Sequence, residues 1–232
     1  MQYIVDSAHL DDIRHCVEYY PLDGVTTNPT IISKEKSDFV HLIKEIRSII
    51  GADRMFHIQT TADTCENIVR EAVALMETVG GDFYIKVPIS AEGLKATRML
   101  SRMGIKVTET AIFTPQQALI AAKAGASYIA PYVNRLDNIV SDGTHVVGEI
   151  VKMFKIYDIH CKVLAASFKT TEQIHKIAMV GTDAVTISPE LFEKLTYHPL
   201  TLYAIDDFRK DWENIYGSET VLSLLGAEDE AK

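Results

Sequence analysis

One lysine lies in a setting where lysines are rarely found, the short apolar run Tyr84-Ile85-Lys86-Val87-Pro88. Such a run predicts a buried strand, and burying an ammonium group without a partner costs free energy of desolvation. Burial favours the neutral amine, which lowers the pKa of Lys86 and makes it a nucleophile that can form a Schiff base with a carbonyl. The alternative is a lysine at a strand end that reaches solvent or pairs with a carboxylate. The run by itself leaves both interpretations open.

Other polar residues follow the predicted strands at their carboxyl ends. Such residues often serve only the adjoining loops, but the carboxyl ends of a parallel barrel form one rim, and active sites lie there. We therefore expect these side chains to converge with Lys86 if the fold is a barrel. They are Asp6, Thr26, Asn28, Gln59, Thr110, Tyr132 and Ser167.

A second group of residues predicts an anion site. Arg135 lies just beyond the sixth predicted strand, and Ser167 and Lys169 lie where the seventh strand turns into a helix that begins at about Thr170. A helix N-terminus, a hydroxyl and two cations together favour phosphate, because free amides and charged donors both bind its oxygens. The alternative is that Arg135 pairs only with Asp137 or another surface carboxylate.

The elements that must position these residues alternate along the chain. Amphipathic helical stripes separate eight β-type runs, and eight βα units are the number that closes a TIM-type barrel. An open doubly wound sheet is the alternative, but no Gly-x-Gly-x-x-Gly loop follows the first strand. The strands are predicted over Tyr3–Asp6, Gly24–Asn28, Met55–Thr60, Phe83–Pro88, Lys106–Thr110, Tyr128–Pro131, Lys162–Ser167 and Ala184–Ile187.

The helix boundaries carry their own signals. Residues at three starts read as capping boxes, namely Asp63 with Glu66, Thr114 with Gln117 and Thr170 with Gln173. After the eighth unit, an apolar stripe around Phe208 and Trp212 predicts one additional C-terminal helix. We therefore predict an α/β fold, a (β/α)8 TIM barrel whose single domain covers residues 1–217, followed by a flexible tail over residues 218–232.

Composition limits the classes of function. The chain has 232 residues, 47% of them hydrophobic, and a formal charge of -9, which argues against a nucleic-acid partner but not against local phosphate binding. No run of about 18 apolar residues occurs, so we expect neither a membrane span nor a signal peptide. The three cysteines are scattered, which predicts reduced thiols, a cytoplasmic location and no thiol metal site.

Five ordered motifs carry a resemblance to a known family, and they run from near Asp6 to about Trp212. On these motifs the chain closely resembles the small-subunit transaldolase family and, within it, the fructose-6-phosphate aldolase branch. The motifs are Gly24-Val25-Thr26-Thr27-Asn28-Pro29, Ile85-Lys86-Val87-Pro88 with Ala91-Glu92-Gly93-Leu94, Thr110-Ala111, Ala130-Pro131-Tyr132-Val133-Asn134-Arg135 and Val163-Leu164-Ala165-Ala166-Ser167-Phe168-Lys169.

The resemblance implies a TIM barrel in which Lys86 captures a ketose carbonyl. Cleavage of the C3–C4 bond then releases an aldose phosphate and leaves a dihydroxyacetone enamine on the enzyme. Asp6 corresponds to the carboxylate that relays protons near the lysine. The resemblance also implies substrate-binding residues, which are Thr26 and Asn28 for the dihydroxyacetone hydroxyls and Arg135, Ser167 and Lys169 for the phosphate.

Two positions distinguish the branches of this family. Transaldolases usually have a glutamate where this chain has Gln59 and a phenylalanine where it has Tyr132, and the aldolase branch resembles this chain at both. A phenol near the covalent intermediate adds a proton donor and acceptor, and with Gln59 and Thr110 it can orient a water molecule. Three neighbouring positions depart from the expected pattern: Glu109, which strand alternation should turn away from Thr110; Thr108, which shares a face with Thr110; and His57, which we expect to pack behind the barrel.

The leading prediction is a metal-free class I aldolase that reversibly cleaves fructose 6-phosphate to dihydroxyacetone and glyceraldehyde 3-phosphate, without a cofactor. A transaldolase is the alternative, and a sugar-phosphate-binding barrel without activity is a third reading. A metal-dependent aldolase is disfavoured because His, Asp and Glu residues do not cluster on the predicted rim. Through its C-terminal helix, the resemblance also implies a homo-oligomer, a decamer of two pentameric rings.

Overall fold

Eight parallel strands form a closed barrel in chain order, and the last strand pairs with the first. This computed structural model describes residues 1–226. The predicted (β/α)8 TIM barrel with an additional C-terminal helix is therefore confirmed. The strands are β1 (Gln2–Asp6), β2 (Gly24–Thr26), β3 (Met55–Gln59), β4 (Phe83–Pro88), β5 (Val107–Ile112), β6 (Tyr128–Pro131), β7 (Lys162–Ala165) and β8 (Ala184–Ile187).

Helices follow the strands around the barrel. The described helices are α1 (Leu10–Tyr19), α2 (Pro29–Lys34), α3 (Phe39–Ile50), α4 (Cys65–Val79), α5 (Ala91–Arg102), α6 (Pro115–Ala124), α7 (Val133–Asp137), α8 (Gly143–Ile156), α9 (Thr171–Val180), α10 (Pro189–Thr196), α11 (Pro199–Tyr216) and α12 (Val221–Leu224). The sequence pattern does not predict α2 and α7, because helices of 6 and 5 residues are too short to show a periodic stripe. Within the described residues no helix has both the length and the apolar character that a membrane crossing needs.

The helix starts show where local sequence signals succeed and where they fail. The capping boxes predicted for α6 and α9 are present. The box predicted from Asp63 and Glu66 is wrong, because α4 begins at Cys65 and its N-cap residue Thr64 makes no side-chain cap. Instead, Glu92 at the start of α5 accepts a hydrogen bond from the Cys65 N–H at 2.7 Å. A side chain from the next βα unit thus satisfies an amide that a local residue was expected to satisfy.

Side chains alternate between the two faces of the barrel wall. Outward-facing residues such as Val25, Ile58 and Ile85 are fully or almost fully buried beneath the surrounding helices. The lower part of the barrel interior is filled by a separate apolar cluster, composed of Ile4, Met55, Tyr84, Tyr128, Leu164 and Ala184. Gly24 also faces this interior, and a Cβ atom there would lie 2.4 Å from the carbonyl oxygen of Met55. The interior is therefore packed below the rim, where the active sites of such barrels lie.

The chain divides into two compact units, Met1–Phe192 and Glu193–Lys232. The first contains the complete barrel, and the second contains α11 and α12. The domain predicted over residues 1–217 includes the first unit and most of the second. The predicted tail over residues 218–232 contains the short helix α12, and its last six residues, 227–232, lie outside the described part of the chain.

Candidate active site

Lys86 lies on the inner face of β4 and is only 5% exposed. Its Nζ atom donates a hydrogen bond to the carbonyl oxygen of Thr27 at 2.8 Å. Burial lowers the pKa of Lys86, and the charge of Asp6 offsets part of this effect. A carbonyl oxygen accepts a hydrogen bond from either the amine or the ammonium, so this contact does not require the charged form. Lys86 is thus a buried lysine that bonds to a backbone carbonyl rather than one that reaches solvent.

Asp6 ends β1, which β2 and β3 separate from β4 in the barrel wall. Its Oδ1 atom accepts a hydrogen bond from Thr26 Oγ1 at 2.6 Å. The same Thr26 oxygen is 2.6 Å from the hydroxyl of Thr186, on the inner face of β8. Three polar side chains from three adjacent strands thus form one connected chain that ends at the carboxylate.

The predicted water-binding residues come from the strands next to Lys86. Gln59 is the register partner of Lys86 on β3, and Thr110 pairs with Pro88 at the end of β5. The Thr110 hydroxyl is 3.1 Å from the hydroxyl of Tyr132, which follows β6. The structure therefore brings Gln59, Thr110 and Tyr132 to the same part of the rim as Lys86.

Two residues next to these side chains have a strained backbone. Ala111 follows Thr110 with φ of 58°, where the pairing register of β5 with β6 shifts, and Ser167 has φ of 64°. Residues other than glycine rarely adopt this left-handed region, and each such residue costs about 1–3 kcal/mol. Strain of this kind is concentrated at functional sites in other proteins, and here it occurs on both sides of Tyr132.

The predicted phosphate residues come from two adjoining segments. Arg135 is on α7, whose Asn134 N–H donates to the Ser167 carbonyl oxygen at 2.7 Å, and Lys169 is exposed just before α9. The Arg135 guanidinium lies over the Tyr132 ring, 4.7 Å from its centre. Asp137 instead bonds to the Gly143 N–H and the Gln173 side chain, so the alternative pairing of Arg135 with Asp137 is not observed.

Asn28 has a structural role as well as its predicted one. It is the N-cap of α2, and its Oδ1 atom accepts a hydrogen bond from the Ile31 N–H at 3.0 Å. Because the cap uses the side-chain oxygen, the NH2 group is the part of Asn28 that is able to contact a substrate oxygen. Proline at position 29 favours the helix at this point, which explains why β2 ends at Thr26 rather than at Asn28.

The prediction that His57 packs behind the barrel is wrong. His57 is two residues from Gln59, and since strand side chains alternate with a period of two, both point into the barrel. Its ring stacks on Tyr84 with 4.4 Å between ring centres, and its Nδ1 atom is 2.9 Å from the hydroxyl of Thr108. The pKa of His57 is well below its ordinary value because of burial and the nearby charges of Lys86 and Lys106. The imidazole is therefore neutral, and it lies just below Lys86 along the barrel axis.

Glu109 is on the outer face of β5, as strand alternation predicts. It is fully buried, and its Oε1 atom accepts a hydrogen bond from Thr97 of α5 at 2.6 Å. Burial raises the pKa of Glu109 to about 7, and the Thr97 hydrogen bond opposes this change. Glu109 therefore adds no charge to the rim, and Thr108 is the one of these two residues that faces the interior.

Two functional contacts are absent from the sequence prediction. The backbone carbonyl of Thr27 accepts from Lys86, and no side-chain pattern indicates which carbonyl a buried lysine will reach. Thr186 bonds to Thr26, and here a signal does exist. Applying the strand-end rule to β8 as well as to the first seven strands would have marked Thr186.

Metal ligands do not cluster in the described part of the chain. Among residues 1–226, no group of three or more His, Cys, Asp or Glu side chains is placed to hold a metal ion. Asp6 is the carboxylate at the rim that interacts with Lys86, and it is hydrogen bonded to a hydroxyl. The chemistry available at this rim is thus that of an amine, a carboxylate, hydroxyls and amides.

Comparisons with known proteins show the family to which the sequence belongs. A sequence model described as Transaldolase/Fructose-6-phosphate aldolase matches residues 3–220. A protein of Hydrogenobaculum sp. (strain Y04AAS1), named "Probable transaldolase", is 40% identical over 215 residues, which cover 93% of this chain and 98% of that protein. A protein of Streptococcus pneumoniae, named "Probable fructose-6-phosphate aldolase", is 37% identical over 222 residues, covering 95% of this chain and all of that protein. A solved structure described as "Native KDPGal structure" superposes with a TM-score of 0.58 and 16% identity over 86% of this chain and 88% of its own, which supports the barrel fold alone.

Proposed function

Because this chain belongs to the transaldolase/fructose-6-phosphate aldolase family, we propose that it is a class I aldolase. The proposed reaction is the reversible cleavage of fructose 6-phosphate to dihydroxyacetone and glyceraldehyde 3-phosphate, with Lys86 as the Schiff-base amine. The reaction needs no metal ion and no cofactor, because the amine of Lys86 supplies the electron sink that a metal would otherwise provide.

The observation that carries this proposal is the environment of Lys86. A lysine that is 5% exposed, with its pKa lowered by burial, has a larger fraction of neutral amine at neutral pH than an exposed lysine. Its Nζ atom is held by one backbone carbonyl at the open end of the barrel. A barrel that only bound sugar phosphates would gain nothing from burying a lysine at this cost.

The proposed chemistry follows from the residues around Lys86. The neutral amine adds to C2 of the ketose, and loss of water from the carbinolamine gives an iminium ion, with Asp6 carrying the protons. The C4 hydroxyl then loses its proton, the C3–C4 bond breaks, and its electron pair enters the enamine while C4 becomes the aldehyde carbon. Protonation at C3 and addition of water at C2 release dihydroxyacetone and restore the amine of Lys86. Arg135, Ser167 and Lys169 would hold the phosphate until the aldose phosphate leaves after cleavage of the C3–C4 bond.

The second candidate function is transaldolase activity, in which the enamine attacks a second aldose instead of taking up a proton. The name of the Hydrogenobaculum relative favours it. The paired hydroxyls of Thr110 and Tyr132, 3.1 Å apart, favour the aldolase, since they offer a water molecule both a donor and an acceptor beside the enamine. Gln59, which stays uncharged, is the register partner of Lys86 on the neighbouring strand.

A coupled assay separates the two functions. Formation of glyceraldehyde 3-phosphate from fructose 6-phosphate is followed with and without erythrose 4-phosphate. We expect many turnovers without the acceptor, because the enamine is released to water. Turnover only in the presence of the acceptor would identify a transaldolase and would refute our interpretation of Gln59 and Tyr132.

Borohydride trapping tests the covalent step and excludes the reading of a barrel without activity. Reduction in the presence of fructose 6-phosphate should attach the sugar to Lys86, as measured by intact mass and peptide mapping. Lys86→Met should fold and lose trapping, whereas Lys123→Met, which removes an exposed lysine on α6, should trap like the parent protein. Trapping retained by Lys86→Met would contradict the assignment. Activity lost to a strong chelator and restored by zinc would refute the metal-free mechanism.

We also propose a homo-oligomer, a decamer of two pentameric rings, as the family resemblance implies. Large apolar side chains on α11 support it, since Leu200, Tyr203, Phe208 and Ile215 are each at least 65% exposed in the single chain. Light scattering that gives the mass of one chain would contradict this proposal. The three cysteines are buried and form no disulfide, which supports a proposed cytoplasmic location.

A further inference from the structure

Thr186 makes a contact that the proposed mechanism does not yet use. It is 4% exposed on the inner face of β8, and Thr26 is fully buried on β2. These two strands are the neighbours of β1 on either side. The hydroxyl–hydroxyl contact of 2.6 Å therefore crosses the inner side of β1, between Ile4 below and Asp6 above.

The number of hydroxyl protons sets the direction of the hydrogen bonds that connect Thr186, Thr26 and Asp6. A threonine hydroxyl has one proton to donate, and the proton of Thr26 is given to Asp6 Oδ1 at 2.6 Å. The contact between the two threonines must then be a donation from Thr186 to Thr26. The result is a directed chain, Thr186 to Thr26 to Asp6, whose last member is a carboxylate.

We propose that Thr186 is a positioning residue for the reaction, acting through Thr26 to hold one oxygen of Asp6 and to leave the other free to carry protons near Lys86. This inference rests on the proposed function for its catalytic meaning, but its geometry does not depend on the substrate. A hydroxyl that itself accepts a hydrogen bond is a stronger donor, so the bond from Thr186 strengthens the one from Thr26 to Asp6. Without it, the Thr26 hydroxyl keeps an unfilled acceptor and loses its fixed orientation.

These hydrogen bonds also distinguish Thr26 from the substrate-binding residues of the site. Its hydroxyl is fully buried and already contacts Asp6 and Thr186. Because the one proton of Thr26 is donated to Asp6, a sugar hydroxyl would have to displace Asp6 in order to accept a hydrogen bond from Thr26. We therefore assign the Thr26 hydroxyl to the support of Asp6.

The test compares Thr186→Val, which keeps the shape and removes the hydroxyl, with Thr186→Ser, which keeps the hydroxyl. In the full-length protein, Thr186→Val should lower kcat for fructose 6-phosphate cleavage about tenfold, the weight of one hydrogen bond in a chain that ends on a charge. KM should change little, because Thr186 does not touch the substrate, and Thr186→Ser should recover most of the lost rate. Equal losses in both variants would indicate a packing role and overturn the proposal, as would a parental rate in Thr186→Val.

A second measurement needs no activity. Protein labelled with 13C in its aspartate carboxyl groups is examined by infrared difference spectroscopy, and Asp6→Asn identifies the band of Asp6. We expect this carboxylate band to shift in Thr186→Val and to return in Thr186→Ser, because its frequency reports the hydrogen bond from Thr26. An unmoved band in Thr186→Val would refute the chain. If the parent protein shows no borohydride trapping, the proposed function fails, and the infrared result still decides the role of Thr186.

Discussion

Glu109 should make this protein less stable as the pH rises through neutrality. Its carboxyl is fully buried between β5 and α5, with one hydrogen bond, to Thr97, and with an Oε2 atom that has no partner in the described part of the chain. Burial of this kind disfavours the ionised form, and the pKa of Glu109 is accordingly raised to about 7. Replacing Glu109 by Gln removes the ionisation and keeps the oxygen that accepts from Thr97.

The carboxyl titrates at different pH in the two states of the protein. Its ordinary value of 4.5 applies to the unfolded chain, and about 7 applies to the folded protein. Between these values the folded protein holds a proton that the unfolded chain has released, so stability falls as the pH rises through this window and stays low above it. At about 1.4 kcal/mol for each pH unit, the loss in unfolding free energy comes to about 3 kcal/mol by pH 8.

The assay is thermal unfolding of the parent protein and Glu109→Gln from pH 5 to pH 8.5 at one protein concentration. Part of that loss has already occurred at pH 5, so about 2.5 kcal/mol remains between pH 5 and pH 8.5. For a chain of this length about 1 kcal/mol corresponds to about 2–4 °C, so Glu109→Gln should unfold about 5–10 °C higher than the parent at pH 8.5, relative to their difference at pH 5. The comparison across pH is needed because the Gln amide and the protonated carboxyl both bury a donor without a partner. Glu77→Gln, which removes an exposed charge on α4, serves as the control and should show no such trend.

A difference in melting temperature between Glu109→Gln and the parent protein that stays the same at every pH would refute this reasoning, since it would mean that the carboxyl is solvated or paired in the folded protein. Thr97→Val offers an independent check. The Thr97 hydroxyl stabilises the ionised carboxylate, so its removal should raise the pKa of Glu109 further and enlarge the loss above neutral pH. A smaller loss in Thr97→Val would contradict the assigned direction.

Three further outcomes are expected. Tyr132→Phe should lower the rate of dihydroxyacetone release to water by about tenfold or more, relative to the rate of its transfer to erythrose 4-phosphate. The reason is that the phenol is a proton donor at the enamine, and the ratio of the two rates measures the effect. His57→Gln should reduce the loss of stability between pH 6.5 and 5. The folded pKa of His57 lies below its ordinary value of 6.5, so the unfolded chain takes up a proton first and the folded protein loses stability as the pH falls below 6.5. Denaturant midpoints measured at each pH check this loss. Gly24→Ala should destabilise the fold by about 1–3 kcal/mol, since its Cβ would collide with Met55, whereas Gly148→Ala on α8, where a Cβ would meet Val180 at 3.5 Å, should be neutral or stabilising in the same denaturant titration.

Much of the candidate site was predictable because one rule of chain geometry applies to it. Parallel strands bring their carboxyl ends to one rim, so Asp6, Lys86 and Thr110 converge although they are distant in sequence. The period of two along a strand predicts that Glu109 turns outward. The same period places the ring of His57 inside the barrel, because His57 and Gln59 are two residues apart on β3. The sequence therefore contained the signal for the position that the structure shows.

Other features could not be predicted because they depend on distances between side chains. Thr26 and Thr186 are 160 residues apart, and their contact exists only because β8 closes against β1. The cap on α4 comes from Glu92 in the following unit rather than from a neighbour in sequence. The left-handed backbone of Ser167 is imposed by its surroundings, since the residue type does not favour it.

By itself, the sequence determined the barrel, the order of its strands and the family, because hydrophobic periodicity and local motifs are properties of short segments. It also determined that a lysine would be buried at the rim. Only the tertiary structure decided which groups surround that lysine. They are the Thr27 carbonyl that accepts a hydrogen bond from its amine, the neutral His57 below the amine in the barrel, and the two threonines whose hydrogen bonds hold Asp6. The physical reason is that hydrogen bonds and burial depend on differences of a few tenths of an ångström in the distances between atoms from different strands, and closure of the barrel sets these distances.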